Sequence, residues 1–117
     1  MNTICHIEYN VTNLERSQDF YHGLFGWDFR SFVDGMVVFG IGDQHIGGLT
    51  KVDEVGPGKS PSVWYGVADI DAMMAKTIQL GGSTPNGKQQ VPTVGWTVCV
   101  KDPDGNEVGM VQFESRD

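Results

Sequence analysis

Apolar and polar residues alternate from Ile4 to Val11, with Cys5, Ile7, Tyr9 and Val11 set against His6, Glu8 and Asn10. A period of two marks a half-buried strand. Thr12, Asn13 and Glu15 then supply a helix cap and an acidic first turn, and Leu14, Ser17, Tyr21, Leu24 and Phe25 recur on one helical face before Gly26. Strands are predicted at Trp27 to Val33, Met36 to Ile41 and His45 to Val52, with Asp34-Gly35 and Gly42-Asp43 as the hairpin turns. The pattern then begins again. Val11, Asn13, Leu14, Leu24 and Gly26 correspond to Val67, Asp69, Ile70, Leu80 and Gly82, 56 positions further on. Such self-similarity signals one supersecondary unit used twice.

The second copy predicts a strand over Ser62 to Ala68 and a helix capped by Asp69. Its apolar face is Ile70, Met73, Met74, Thr77, Ile78 and Gly81, and Gly81-Gly82 stops it. A short strand is expected near Ser83 to Thr84, followed by a polar loop from Pro85 to Gln90. Strands at Thr93 to Lys101 and Glu107 to Phe113 flank the turn Asp102-Pro103-Asp104-Gly105-Asn106. The order is βαβββ twice, with few helices over mostly antiparallel strands, which is the α+β class. The boundaries are module one at 1–52, a Pro/Gly linker at 53–61 and module two at 62–117, within one domain of 117 residues.

Composition narrows the partners. A net charge of −7 spread without a basic patch argues against nucleic acid and anionic membrane surfaces. No apolar run approaches a membrane span, and the N-terminus lacks the pattern of a signal peptide. Cys5 and Cys99 lie within strand patterns and are expected as free thiols, so the expected location is the cytoplasm. A small organic molecule, or a second copy in a homodimer that covers sheet edges, is the expected partner.

The doubled unit resembles the vicinal oxygen chelate superfamily, which includes glyoxalase I, the bleomycin-resistance proteins and the extradiol dioxygenases. The residues that carry the match are Asn13-Leu14-Glu15-Arg16-Ser17, Phe20-Tyr21, Leu24-Phe25-Gly26-Trp27, Ile46-Gly47-Gly48-Leu49, Val67-Ala68-Asp69-Ile70-Asp71-Ala72, Leu80-Gly81-Gly82 and the Asp102–Asn106 turn. Within the superfamily the chain looks closest to small glyoxalase-like proteins of unassigned activity. The resemblance implies two modules, each curling its sheet into half of a ligand-holding cleft. In metal-dependent members, four side chains from the first and last strands of the modules hold one divalent ion. The matching positions are His6, Gly48, Ser62 and Gly109. Glycine has no side chain and a neutral serine hydroxyl is a poor ligand, so no metal or other cofactor is expected.

A rearranged ion site from His6, Glu8 and Glu107 is the alternative, Glu8 sharing the face of His6 and Glu107 preceding Gly109 by two. His45, three residues before Gly48, is expected to point the opposite way unless a bulge intervenes. Gly47, Gly48 and Gly109 mark either a tight sheet bend or the close approach of a ligand or backbone. The inward phase set by His6 includes Glu8, Asn10, Ser62, Trp64 and Gly66, with Ile46, Thr50, Glu107, Val111 and Phe113 from the last strands. Ligand contact is therefore assigned to His6, Glu8, Gly48, Ser62, Trp64, Glu107, Gly109 and Phe113.

Glu8 and His6 are the candidates for acid–base chemistry, a carboxylate in an apolar cleft beside an imidazole. No nucleophile constellation is legible. Trp27, Trp96, Met73 and Met74 read as packing residues and His22 as solvent-facing. Three functions remain open: a metal-independent binding module, a lyase or isomerase acting through Glu8 and His6 (or a metal enzyme with rearranged ligands), and an accessory subunit. Because neither Arg16 nor Arg30 has a clearly inward phase, the expected ligand is neutral or cationic with a planar part, resting on Trp64 and Glu8.

Overall fold

The computed structural model describes residues 1–114. The chain divides into two compact units: Cys5–Ser62, and a second in which Met1–Ile4 joins the chain from Val63 onward. The last three positions of the expected second module, 115–117, lie outside the described residues.

The first unit runs β1 (Thr3–Val11), α1 (Leu14–Phe25), β2 (Asp28–Val33), β3 (Met36–Ile41) and β4 (Gln44–Lys51). Its strand order is β2-β3-β4-β1, antiparallel except where β1 runs parallel to β4. The parallel pair needs a crossover, which α1 and the hairpins supply. The Asn13 side chain caps α1 by accepting from the Arg16 amide at 3.0 Å. Gly26 ends it in the left-handed region at φ 74°, its N–H reaching the His22 carbonyl at 2.8 Å. Val11, Val37, Phe39 and Leu49 form the buried core, with Tyr9, Leu14, Tyr21, Trp27, Phe29 and Ile46 packed against it.

The amphipathic reading of α1 is only half realised. Leu14 and Tyr21 pack inward, but Leu24 and Phe25 are 58% and 53% exposed. Phe25 instead borders Trp27, with ring centroids 4.7 Å apart, and Trp27 stacks on Phe39 at 4.5 Å. Trp27 therefore acts as a packing residue, although it precedes β2 rather than starting it. His22 is exposed as expected, but its Nδ1 lies 2.8 Å from the Trp27 carbonyl and ties the helix end to the entry of β2.

The second unit holds β5 (Ser62–Gly66), α2 (Ile70–Gln79), β6 (Gln89–Val91), β7 (Gly95–Lys101) and β8 (Glu107–Phe113). β8 runs parallel to β5 and antiparallel to β7, which pairs in turn with β6. This is the connectivity of the first unit, so the fold is α+β with a duplicated βαβββ module. The Asp69 side chain caps α2 through the Ala72 amide at 3.1 Å. Val67, Ile70, Val98, Val100 and Met110 are its buried core, with Met73, Met74 and Trp96 packed against them.

The second strand of this module departs from the sequence reading. It forms at Gln89–Val91, overlapping the end of the expected polar loop, because Thr97, Trp96 and Gly95 offer it a ladder partner. Ser83 makes only an isolated bridge to Lys101. The β7 strand begins at Gly95 rather than Thr93, whose φ of 67° removes it from extended geometry.

Candidate functional site

β1 and β4 run in register, with Glu8 opposite Gly48 and Asn10 opposite Thr50. Residues directly opposite each other point to the same face, so Glu8 projects over the Cα of Gly48. A Cβ built at position 48 would lie 2.9 Å from Glu8 Oε1 and 3.2 Å from Oε2. The space that a side chain at 48 would use is filled by the Glu8 carboxylate. Thr50 Oγ1 donates to Glu8 Oε2 at 2.7 Å, and His6 Nε2 donates to Glu8 Oε1 at 2.6 Å. The His6 and Glu8 side chains are 23% and 17% exposed, so this pair is shielded far more than an ordinary surface ion pair.

His45 joins the same group. The β3–β4 ladder shifts register between Phe39 and Gly40, so that Phe39 faces Gly47 while Gly40 faces His45. The additional residue in β4 is Ile46. This bulge turns Ile46 toward the core and brings His45 onto the face of Gly48, Thr50 and Glu8. His45 Nε2 lies 2.8 Å from His6 Nδ1, and the two rings stack with centroids 5.0 Å apart. Two inward assignments thus change: Ile46 leaves the face and His45 enters it. Burial, His6 and Arg30 hold His45 below the usual histidine range, with Glu8 opposing them.

The result is a hydrogen-bonded chain, Thr50–Glu8–His6–His45. An ionised carboxylate only accepts, so His6 Nε2 is the donor to Glu8. With both rings neutral, His6 Nδ1 is then an acceptor, His45 Nε2 a donor, and His45 Nδ1 an acceptor. Fixing each tautomer in turn is what a carboxylate does for a histidine relay.

Arg30 also lies on this face. Arg30 pairs with Val38, Val38 with Gly48, and Gly48 with Glu8, one continuous row across four strands. Beside that row is a pocket of about 240 Å³, walled by Asp28, Arg30, Val38, Gly40, Asp43 and His45 among others. The expectation that Arg30 has no inward phase is therefore corrected. A second register shift, between Ser31 and Val33, defeats counting from the Asp34–Gly35 turn. Arg30 and His45 are the contributors that residue patterning missed, whereas Thr50 keeps its expected inward phase.

The remaining predicted positions are placed as follows. Asn10 is engaged with the linker, its amide donating to Ser60 Oγ at 3.0 Å and its side chain to the Lys59 carbonyl at 3.4 Å. Ser62 opens β5 and is half-buried. Trp64 sits opposite Gly109, and a Cβ at 109 would meet the indole, with Cε2 at 2.9 Å. Glu107 is exposed, in register with Lys101, and Phe113 is 53% exposed opposite Gly95. Trp96 carries the Lys88 ammonium 4.4 Å above its ring, and Lys88 is paired with Asp71 at 3.0 Å.

At the glycines the close approach is made by the protein's own groups. Glu8 over Gly48 and Trp64 over Gly109 are repeat-equivalent, 56 positions separating Glu8 from Trp64. Gly47 is fixed by backbone: a Cβ there would collide with the Ile7 carbonyl. Glycine is required for the close approach of the protein's own groups.

These residues do not fit the divalent ion that the resemblance implies for metal-dependent members. Gly48 and Gly109 offer no donor, and the room beside them holds Glu8 and Trp64. One ion reaches one nitrogen of an imidazole, whereas Glu8 and His45 engage opposite nitrogens of His6. Among the described residues no group of three or more His, Cys, Asp or Glu is arranged to hold a metal.

A duplicated βαβββ module with a polar strand face defines the architectural class, and comparison with known proteins places it. The model of the Glyoxalase/Bleomycin resistance protein/Dioxygenase superfamily matches residues 3–110, and the chain belongs to that superfamily. No curated protein matches its sequence. Among solved structures, a superfamily member from Vibrio splendidus 12B01 is 16% identical with a TM-score of 0.70, covering 94% of this chain and 99% of that one. Methylmalonyl-CoA epimerase from Mycobacterium tuberculosis is 14% identical with a TM-score of 0.71, covering 96% and 88%. A variant of homoprotocatechuate 2,3-dioxygenase from B.fuscum is 21% identical with a TM-score of 0.70, covering 96% of this chain and 32% of that one. Identities this low carry the fold and no reaction. Among the described residues, no helix is long and apolar enough to cross a membrane.

Proposed function

We propose that the chain is a small-molecule-binding protein of the glyoxalase/bleomycin-resistance type that works without the superfamily's divalent ion. The supporting observation is the fate of the ligand positions: His6 has both nitrogens engaged by side chains, and Gly48 and Gly109 make room for Glu8 and Trp64. The bound molecule meets the polar face built on Thr50, Glu8, His6 and His45. A few convergent polar groups beside apolar area is the usual make-up of such a site.

A second reading is favoured by the relay itself. A carboxylate–imidazole–imidazole chain can pass a proton between a bound molecule and Glu8, as a lyase or isomerase requires. The two readings separate in one experiment: deuterium exchange into a bound ligand supports proton transfer, and binding without exchange supports the binding module.

Metal content and binding test the main proposal. Protein purified without chelator should carry far less than one equivalent of Zn, Ni, Mn or Fe, and its ligand-induced melting shift should survive chelator treatment. Stoichiometric metal that is lost on His6→Ala would overturn it. The same reading takes the protein as a cytoplasmic homodimer, in line with the free thiols of Cys5 and Cys99. Sedimentation giving only monomer at micromolar concentration would count against the dimer.

A further inference from the structure

We infer that the Arg30–His45 pocket is a subsite for a small hydroxycarboxylate, its carboxylate held by Arg30 and its hydroxyl by His45. The inference rests on the binding function proposed above and names the ligand class for that face.

The Arg30 side chain makes no hydrogen bond or ion pair among the described residues, although Asp28 and Asp43 line the same pocket. A guanidinium offers a planar fork of donors that matches a carboxylate in two parallel bonds. No other cationic side chain lines the pocket, so the anion is anchored at one end. His45 also lines the pocket; its Nε2 is committed to His6, and its Nδ1 has no partner among the described residues. The polarity of that atom depends on the relay. When His6 and His45 are neutral, Nδ1 accepts; when His6 carries a second proton, the chain reverses and Nδ1 donates. A hydroxyl both donates and accepts, so it serves His45 in either state.

Two further features limit the class. The pocket, about 240 Å³, is smaller than the range typical of drug-sized ligands, which suits an acid of a few carbons. Asp28 and Asp43 line the same pocket, so each further negative charge on the ligand adds repulsion, and phosphate is penalised more than a monoanion.

The test is a titration of 15N-labelled protein with lactate, 3-hydroxybutyrate, propionate, serine and inorganic phosphate, followed by the imidazole nitrogens of His6 and His45. The hydroxy acids are expected to shift His45 Nδ1 and to bind about two- to tenfold tighter than propionate, the range that one solvent-accessible hydrogen bond produces. Arg30→Gln should weaken the hydroxy acids about tenfold or more, and Arg30→Lys should rescue only part of this. Propionate equal to lactate, tighter phosphate, or unchanged binding in Arg30→Gln would each overturn the inference. A parallel screen of neutral and cationic aromatics keeps the two readings apart. If those bind in a His6- and Glu8-dependent way while hydroxy acids do not, the subsite fails and the binding function stands. If nothing binds without metal, the binding function itself fails.

Discussion

Substitution of Gly48 by Ala probes directly whether the Glu8 carboxylate fills the space beside β4. The added methyl would sit 2.9 Å from Glu8 Oε1, 3.2 Å from Oε2 and 3.2 Å from the Val37 carbonyl. The backbone at 48 is not in the left-handed region, so the change carries no conformational strain and by itself would favour the strand by about 0.5–1 kcal/mol. Against this stands overpacking, about 1–3 kcal/mol in a close-packed interior. Displacing Glu8 also loosens its bonds from Thr50 and His6. We expect Gly48→Ala to destabilise the native protein by about 1–2 kcal/mol, the balance of these two effects. The decisive measurement is a double-mutant cycle with Glu8→Ala, read by urea unfolding. Without the carboxylate the closest obstacle to the methyl is removed, so Gly48→Ala should become neutral or stabilising. An equal cost with and without Glu8 would show that the glycine answers to the backbone alone, and the account of the site would fail.

How much of this was legible in the chain depends on where the ladder is regular. The helix at Leu14–Phe25 was readable from Asn13 and Gly26 because caps are local chemistry. The Glu8–His6 pair was readable from a spacing of two on an unbroken strand. Arg30 and His45 were not, because each lies beyond a register shift. A one-residue slip inverts every side chain past it, and a bulge is set by cross-strand partners that patterning cannot see. The glycines were legible as places of close approach, which the Ile7 backbone makes at Gly47, but the side chains that approach Gly48 and Gly109 were not foreseen. A missing side chain signals close approach, while the identity of the approaching group (Glu8, Trp64 or the Ile7 carbonyl) depends on register. The strand at Gln89–Val91 escaped because three polar-flanked residues have no periodicity of their own.

Three further outcomes follow from the same geometry. Gly47→Ala should cost more than Gly48→Ala, since the methyl meets the Ile7 backbone rather than a movable carboxylate; equal costs in urea unfolding would contradict this. Leu49→Ala should cost about 2–5 kcal/mol, the range for a fully buried leucine, and a loss below about 1 kcal/mol would mean the core relaxes around it. The last outcome concerns pH. His45 titrates below its ordinary value in the folded protein, through burial first and then the charges of His6 and Arg30, with Glu8 opposing. Below about pH 6.5 the unfolded chain therefore takes up a proton at His45 that the native state resists. Stability from this residue is complete above that value and is lost as pH falls through the depressed native one. Replacing His45 by Gln should flatten the decline between about pH 7 and pH 5 relative to the parent, and Arg30→Gln should move the His45 titration upward in an NMR experiment. An unchanged slope in the first variant, or a downward movement in the second, would remove His45 from the influence of the arginine and with it the common face on which the subsite depends.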